Sequence, residues 1–126
     1  MTSNLKPDPD HPIIEKPWEY QIIDFHCHYD QEDWEKSYTD ISLAKDTVIR
    51  RLRFWSPRDL KIEEGFPMPT GGMQIQDVRS RQMEGIGVRV GDFEASWGAV
   101  TFWAADVEDL DENEASSLAA HSETMP

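Results

Sequence analysis

The chain has 126 residues, a length that suits one domain and excludes two ordinary ones. Its 25 acidic and 12 basic residues give a net charge of −13, which repels phosphate backbones and anionic bilayers and leaves nucleic acid and membrane outside the expected partners. Cys27 is the single cysteine, so an intramolecular disulfide and a thiolate zinc cluster are both excluded. A reducing compartment follows, and with no signal-like or bilayer-length apolar run the expected location is the cytoplasm.

Residues 1–17 carry Pro7, Pro9, Pro12 and Pro17 among charges, a composition that predicts a flexible, extended leader. Residues 18–105 read as a single β domain, because the dominant hydrophobic period is two and the runs are short and separated by turn residues. Tyr20 to Tyr29 alternates, with Ile23, Phe25, Cys27 and Tyr29 on one face and Ile22, Asp24, His26 and His28 on the other. Gln31 to Tyr38 has room for one helical turn, and Thr39 to Leu43 is a brief strand. In Thr47 to Trp55, Val48, Leu52 and Phe54 share a face with Arg50, while Arg51 and Arg53 point the other way.

Leu60 to Glu63 is a further short strand before the turn-rich stretch from Gly65 to Gly72. Met73 to Val78 resumes the alternation, Ser80 to Glu84 suits another helical turn, and Ile86, Val88 and Val90 form one face with Gly91 as a possible bulge. Ala99 to Ala104 sets Val100 and Phe102 against Thr101 and Trp103. Residues 106–126 are acidic and lack Lys and Arg, which predicts a mobile tail, or at most one short helix near Glu112 to Ala120. No run is long enough for a crossover helix, so the pairing is antiparallel. The fold class expected is mainly β, an antiparallel meander forming a small sandwich or a partly open barrel, with flexible termini.

The sharpest local chemistry lies at Asp24, His26, His28, Asp30 and Glu32. Side chains two apart on a strand project together, roughly 7 Å apart at Cα, so two neutral imidazoles there can converge on one divalent transition metal with a carboxylate completing the set. Ile22 to His28 resembles the first-strand His-x-His of metal-dependent amidohydrolases, TIM barrels far longer than this chain. His26-x-His28 followed by Glu32 resembles the first metal motif of cupins, whose small β-barrel fits the length. That resemblance implies His26, His28 and Glu32 as metal ligands around a cavity, with another ligand such as Asp77 or Glu94 from a different strand. The flanking glycines of the cupin motif are absent, and no histidine follows Pro69-Thr70-Gly71.

The remaining features point to binding rather than catalysis. Arg51 and Arg53 share a strand face suited to gripping a carboxylate or phosphate, or to pairing with neighbouring Asp and Glu, the acidic tail included. Cys27 is expected to face the core, as are most of the tryptophans. The principal expectation is a non-enzymatic protein that captures a partner with a basic surface, of which a bacterial immunity protein neutralising a basic toxin is one instance. Its contact residues would be Trp97 and Trp103 as apolar anchors beside Asp106, Glu108 and Asp109, with no cofactor. The alternative is a small cupin-like metalloenzyme built on His26, His28 and Glu32.

Overall fold

The computed structural model describes residues 8–66, 73–92 and 99–111, and in them each run of period-two alternation is a strand. The strands are β1 (Gln21–His28), β2 (Tyr38–Lys45), β3 (Val48–Trp55), β4 (Arg58–Ile62), β5 (Met73–Asp77), β6 (Val88–Asp92), β7 (Val100–Ala104) and β8 (Asp106–Asp109). They form two four-stranded antiparallel sheets, in the orders β1-β2-β3-β8 and β4-β7-β6-β5, and do not close into a barrel. Each sheet grows from a meander, β1-β2-β3 in one and β5-β6-β7 in the other. β4 then lies beside β7 in a Greek-key connection, and β8 crosses back to lie beside β3. Single turns of 3-10 helix form at Trp34–Lys36, within the stretch expected to hold one, and at Arg79–Arg81, which overlaps the expected turn from Ser80 to Glu84 only at its start. No helix among the described residues is long and apolar enough to cross a membrane.

Alternation along β2 and β3 sends Ile41, Leu43, Leu52 and Phe54 inward, where all four are fully buried. They meet Met73, Ile75, Val88, Val90 and Phe102 from the other sheet in one core cluster. Phe54 and Phe102 join the two layers edge to face, with ring centroids 5.1 Å apart. Burial of side chains of this size contributes roughly 1.5–3 kcal/mol each. Trp55 and Trp103 are not core residues: adjacent positions on a strand face opposite ways, and Phe54 and Phe102 take the interior. Trp97 lies outside the described residues.

Four further features depart from the sequence reading. The pairing of β1 with β2 passes from Ile22↔Leu43 to Asp24↔Ser42, leaving Ile23 as an extra residue. This bulge lets Ile22 join Phe25 and Cys27 on the inner side, while Ile23 stands 53% exposed. At the N-terminus, the His11 N–H donates to the Ile75 carbonyl and the Asp77 N–H to the Pro9 carbonyl, so this part of the leader is docked on the edge of β5. Ile14 completes the attachment by entering the core, and burial holds the His11 imidazole below its ordinary pKa.

The acidic run 106–126 begins as a strand, not as a tail. Val107, the one apolar residue of β8, packs inward opposite Phe54, and covering the open edge of β3 in this way outweighs the acidic composition around it. Gly91, finally, is no bulge, since it stands in regular register opposite Gln74.

Candidate functional site

Because β1, β2, β3 and β8 alternate in register, their solvent-facing side chains form two rows across the first sheet. One row runs His26, Asp40, Arg53 and Glu108; the next runs His28, Tyr38, Trp55 and Asp106. Arg53 ties them together. Its Nε and Nη2 donate to the two oxygens of Asp40 at 2.8 and 2.9 Å, and its guanidinium lies 3.8 Å over the Tyr38 ring. Tyr38 also meets His28 at a tilt and Trp55 edge to face, with ring centroids 5.0 and 5.5 Å away. Trp55 Nε1–H donates to Glu108 at 3.1 Å. Arg51 is held by Asp111, whose oxygens accept from its Nε at 2.7 Å and its backbone N–H at 2.8 Å. Cross-strand and tail carboxylates therefore satisfy the arginine face.

Beyond β1 the chain forms a loop whose own carboxylates lock it. Asp30 accepts from the N–H groups of Glu32 and Asp33 at 3.0 and 2.9 Å, and Asp33 accepts from the Glu35 N–H at 3.0 Å, capping the turn at Trp34–Lys36. The Asp30 N–H donates to the buried Ser37 hydroxyl at 2.9 Å, and the Ser37 carbonyl accepts from Ser56 N–H at 2.8 Å, anchoring the loop to the body. The backbone donors from Asp33 and Glu32 lower the pKa of Asp30, which stays ionised. On this frame Tyr29 is 65% exposed and Trp34 39% exposed, with ring centroids 5.7 Å apart. Asp30, Glu32, Asp33 and Glu35 are their neighbours in the chain, with Lys36 the one basic residue of the stretch. The result is a rigid, acidic, aromatic-tipped projection.

The sequence-predicted site residues are distributed differently from their order in the chain. His26 and His28 lie exposed on the outer side of an edge strand, and Glu32 lies in the loop. The interior, ligand-lined cavity that the cupin resemblance implies is not what surrounds them, because they alternate with the inward-facing Phe25 and Cys27 and so stand on the solvent side of β1. Among the described residues no group of three His, Cys, Asp or Glu side chains could hold a metal ion. Asp77 is engaged by Arg79, whose side-chain and backbone donors bring its carboxyl down to about 2, and Glu94 lies outside the described residues. Cys27 points to the inner side, with Sγ 3.3 Å from Thr39 Oγ1, yet the open edge leaves it exposed.

Trp103, Asp106, Glu108 and Asp109 do not form one patch. The chain changes sheets at Ala105, so Trp103 stands on the outer face of the second sheet and Asp106 and Glu108 on that of the first. Asp109 turns inward and pairs with Arg50, and Asp106 accepts from the Val107 N–H at 2.8 Å. Trp97 is outside the described residues. The Tyr29–Trp34 pair was the overlooked element; its signal is the Asp30-x-x-Asp33 spacing, which marks a side-chain-capped turn presenting its aromatics outward. No family model, curated protein or solved structure matches the chain.

Proposed function

We propose that the protein is a non-catalytic binding protein that captures a protein partner with a basic surface through the loop from Tyr29 to Glu35. The observation that carries this reading is the exposed Tyr29–Trp34 pair on a loop held rigid by Asp30 and Asp33. Aromatic anchors dominate the energetics of many interfaces, and a pre-ordered loop loses little conformational freedom on docking. Carboxylates around the anchors, within a chain of net charge −13, steer a cationic partner toward them. Neutralisation of a basic toxin by an immunity-type protein, in a reducing bacterial cytoplasm suited to the lone Cys27, is the concrete form of this function.

Affinity capture with the immobilised full chain tests it, with Tyr29→Ala/Trp34→Ala as the paired variant. The expected result is a basic protein retained by the wild type and weakened at least about 30-fold by the double variant, as for a pair of anchors worth roughly 2 kcal/mol. Glu32→Gln/Glu35→Gln should slow association at low ionic strength and have little effect at high. Retention of the same partners by the anchor variant, or capture of proteins without a basic surface, would overturn the reading.

A further inference from the structure

The outer face of the second sheet carries the opposite chemistry. Six of the described basic residues are held in ion pairs. Arg58, Lys61 and Arg89 are in no ion pair among the described residues, and the strand register sets all three beside the outward side of β7. Arg58 on β4 and Arg89 on β6 flank Trp103 on β7, and Lys61 stands opposite Thr101 on the same two strands. An open groove of about 520 Å³ runs past Lys61, Arg89, Thr101 and Trp103, with Asp59 at its side. That volume lies within the ~300–1,000 Å³ of small-molecule sites.

Arg89 is placed by what its neighbour lacks. A Cβ at Gly91 would stand 2.5 Å from Arg89 Nη1, so the guanidinium lies forward along β6 over the bare backbone of Gly91. It also sits 5.3 Å from the centre of the Trp103 ring, with Arg81 at 5.8 Å. A guanidinium held against an indole keeps its N–H edge for an anion. Arg58, Lys61 and Arg89 gathered without an ion pair among the described residues, with Asp59 the one carboxylate among the described residues lining the groove, leave a local excess of positive charge that an anion would offset. The anion must be compact: at physiological ionic strength the field of these cations fades within roughly 8 Å, and a polyanion would run on over acidic surface.

We propose that this groove binds a compact phosphate-bearing molecule, its phosphoryl oxygens held by the Arg89 guanidinium, the Lys61 ammonium and the Thr101 hydroxyl beside Trp103. The site is independent of the Tyr29–Glu35 loop, which joins β1 to β2 of the other sheet. The test is a titration of the ¹⁵N-labelled full chain with inorganic phosphate, phenyl phosphate and an oligothymidylate, followed by amide and indole shifts. Saturable changes centred on Lys61, Arg89, Thr101 and the Trp103 indole are expected with the two phosphates. Tighter binding of phenyl phosphate identifies an organic phosphate as the occupant, and equal binding identifies phosphate itself. Arg89→Gln, and Gly91→Ala as the variant that displaces Arg89 without removing it, should each weaken binding about tenfold or more, while Lys45→Gln leaves it unchanged. Absence of saturation, shifts spread evenly over all basic residues, unchanged affinity in Arg89→Gln, or tighter binding of the oligothymidylate would overturn the proposal.

Discussion

Replacing Arg53 by lysine keeps the charge and removes the geometry, which isolates what the planar guanidinium contributes to the outer face of the first sheet. Arg53 and Asp40 are each 25% exposed and share two parallel hydrogen bonds. A bidentate pair at such a position is worth about 1 kcal/mol, once partial solvent screening is taken into account. Stacking 3.8 Å over Tyr38 adds about 0.5 kcal/mol beyond it. Lysine recovers part of the Coulombic attraction but neither the second hydrogen bond nor the flat contact, so Arg53→Lys should cost about 1 kcal/mol. For a domain of this size that corresponds to a fall in Tm of roughly 4 °C. Urea unfolding of the wild type, Arg53→Lys, Asp40→Asn and the double variant gives the cost and the coupling in one cycle. A lysine variant within about 0.3 kcal/mol of wild type, or a coupling near zero, would refute the argument that Arg53 organises the row from His28 to Trp55.

Phe54→Ala removes the ring that meets Phe102 between the sheets and should cost about 3–5 kcal/mol in the same unfolding assay, with Phe54→Leu well below that. Truncation after Ala105 deletes β8 and uncovers Phe54, and is expected to abolish cooperative unfolding measured by circular dichroism. Asp77, whose folded pKa is about 2 against 3.8 for the free carboxyl, stabilises the fold above the higher value and ceases to do so as pH falls through the lower. Asp77→Asn should therefore be less stable than wild type near neutral pH, with the difference shrinking as both are titrated below about pH 4 and vanishing only below about pH 2.

Local alternation determined much of this protein from sequence alone. Leu52 and Phe54 inward with Arg51 and Arg53 outward, Phe102 inward with Trp103 outward, and short runs that demand antiparallel pairing all follow from the period-two geometry of a single strand. Tertiary structure decided what that geometry does not contain. Whether Ile22 or Ile23 enters the core depended on the register against β2, which required a bulge. The docked leader and β8 exist because the edges of β5 and β3 offered unpaired backbone groups, which no local composition of prolines or acids reveals. The candidate surfaces were decided in the same way. Trp103 and Glu108 are five positions apart in the chain and on opposite faces of the molecule, whereas Arg58, Arg89 and Trp103 come from three strands and share one. The physical reason is that facing is set within a strand by the pleat, while neighbourhood across strands is set by the competition of all edges and apolar faces for burial at once.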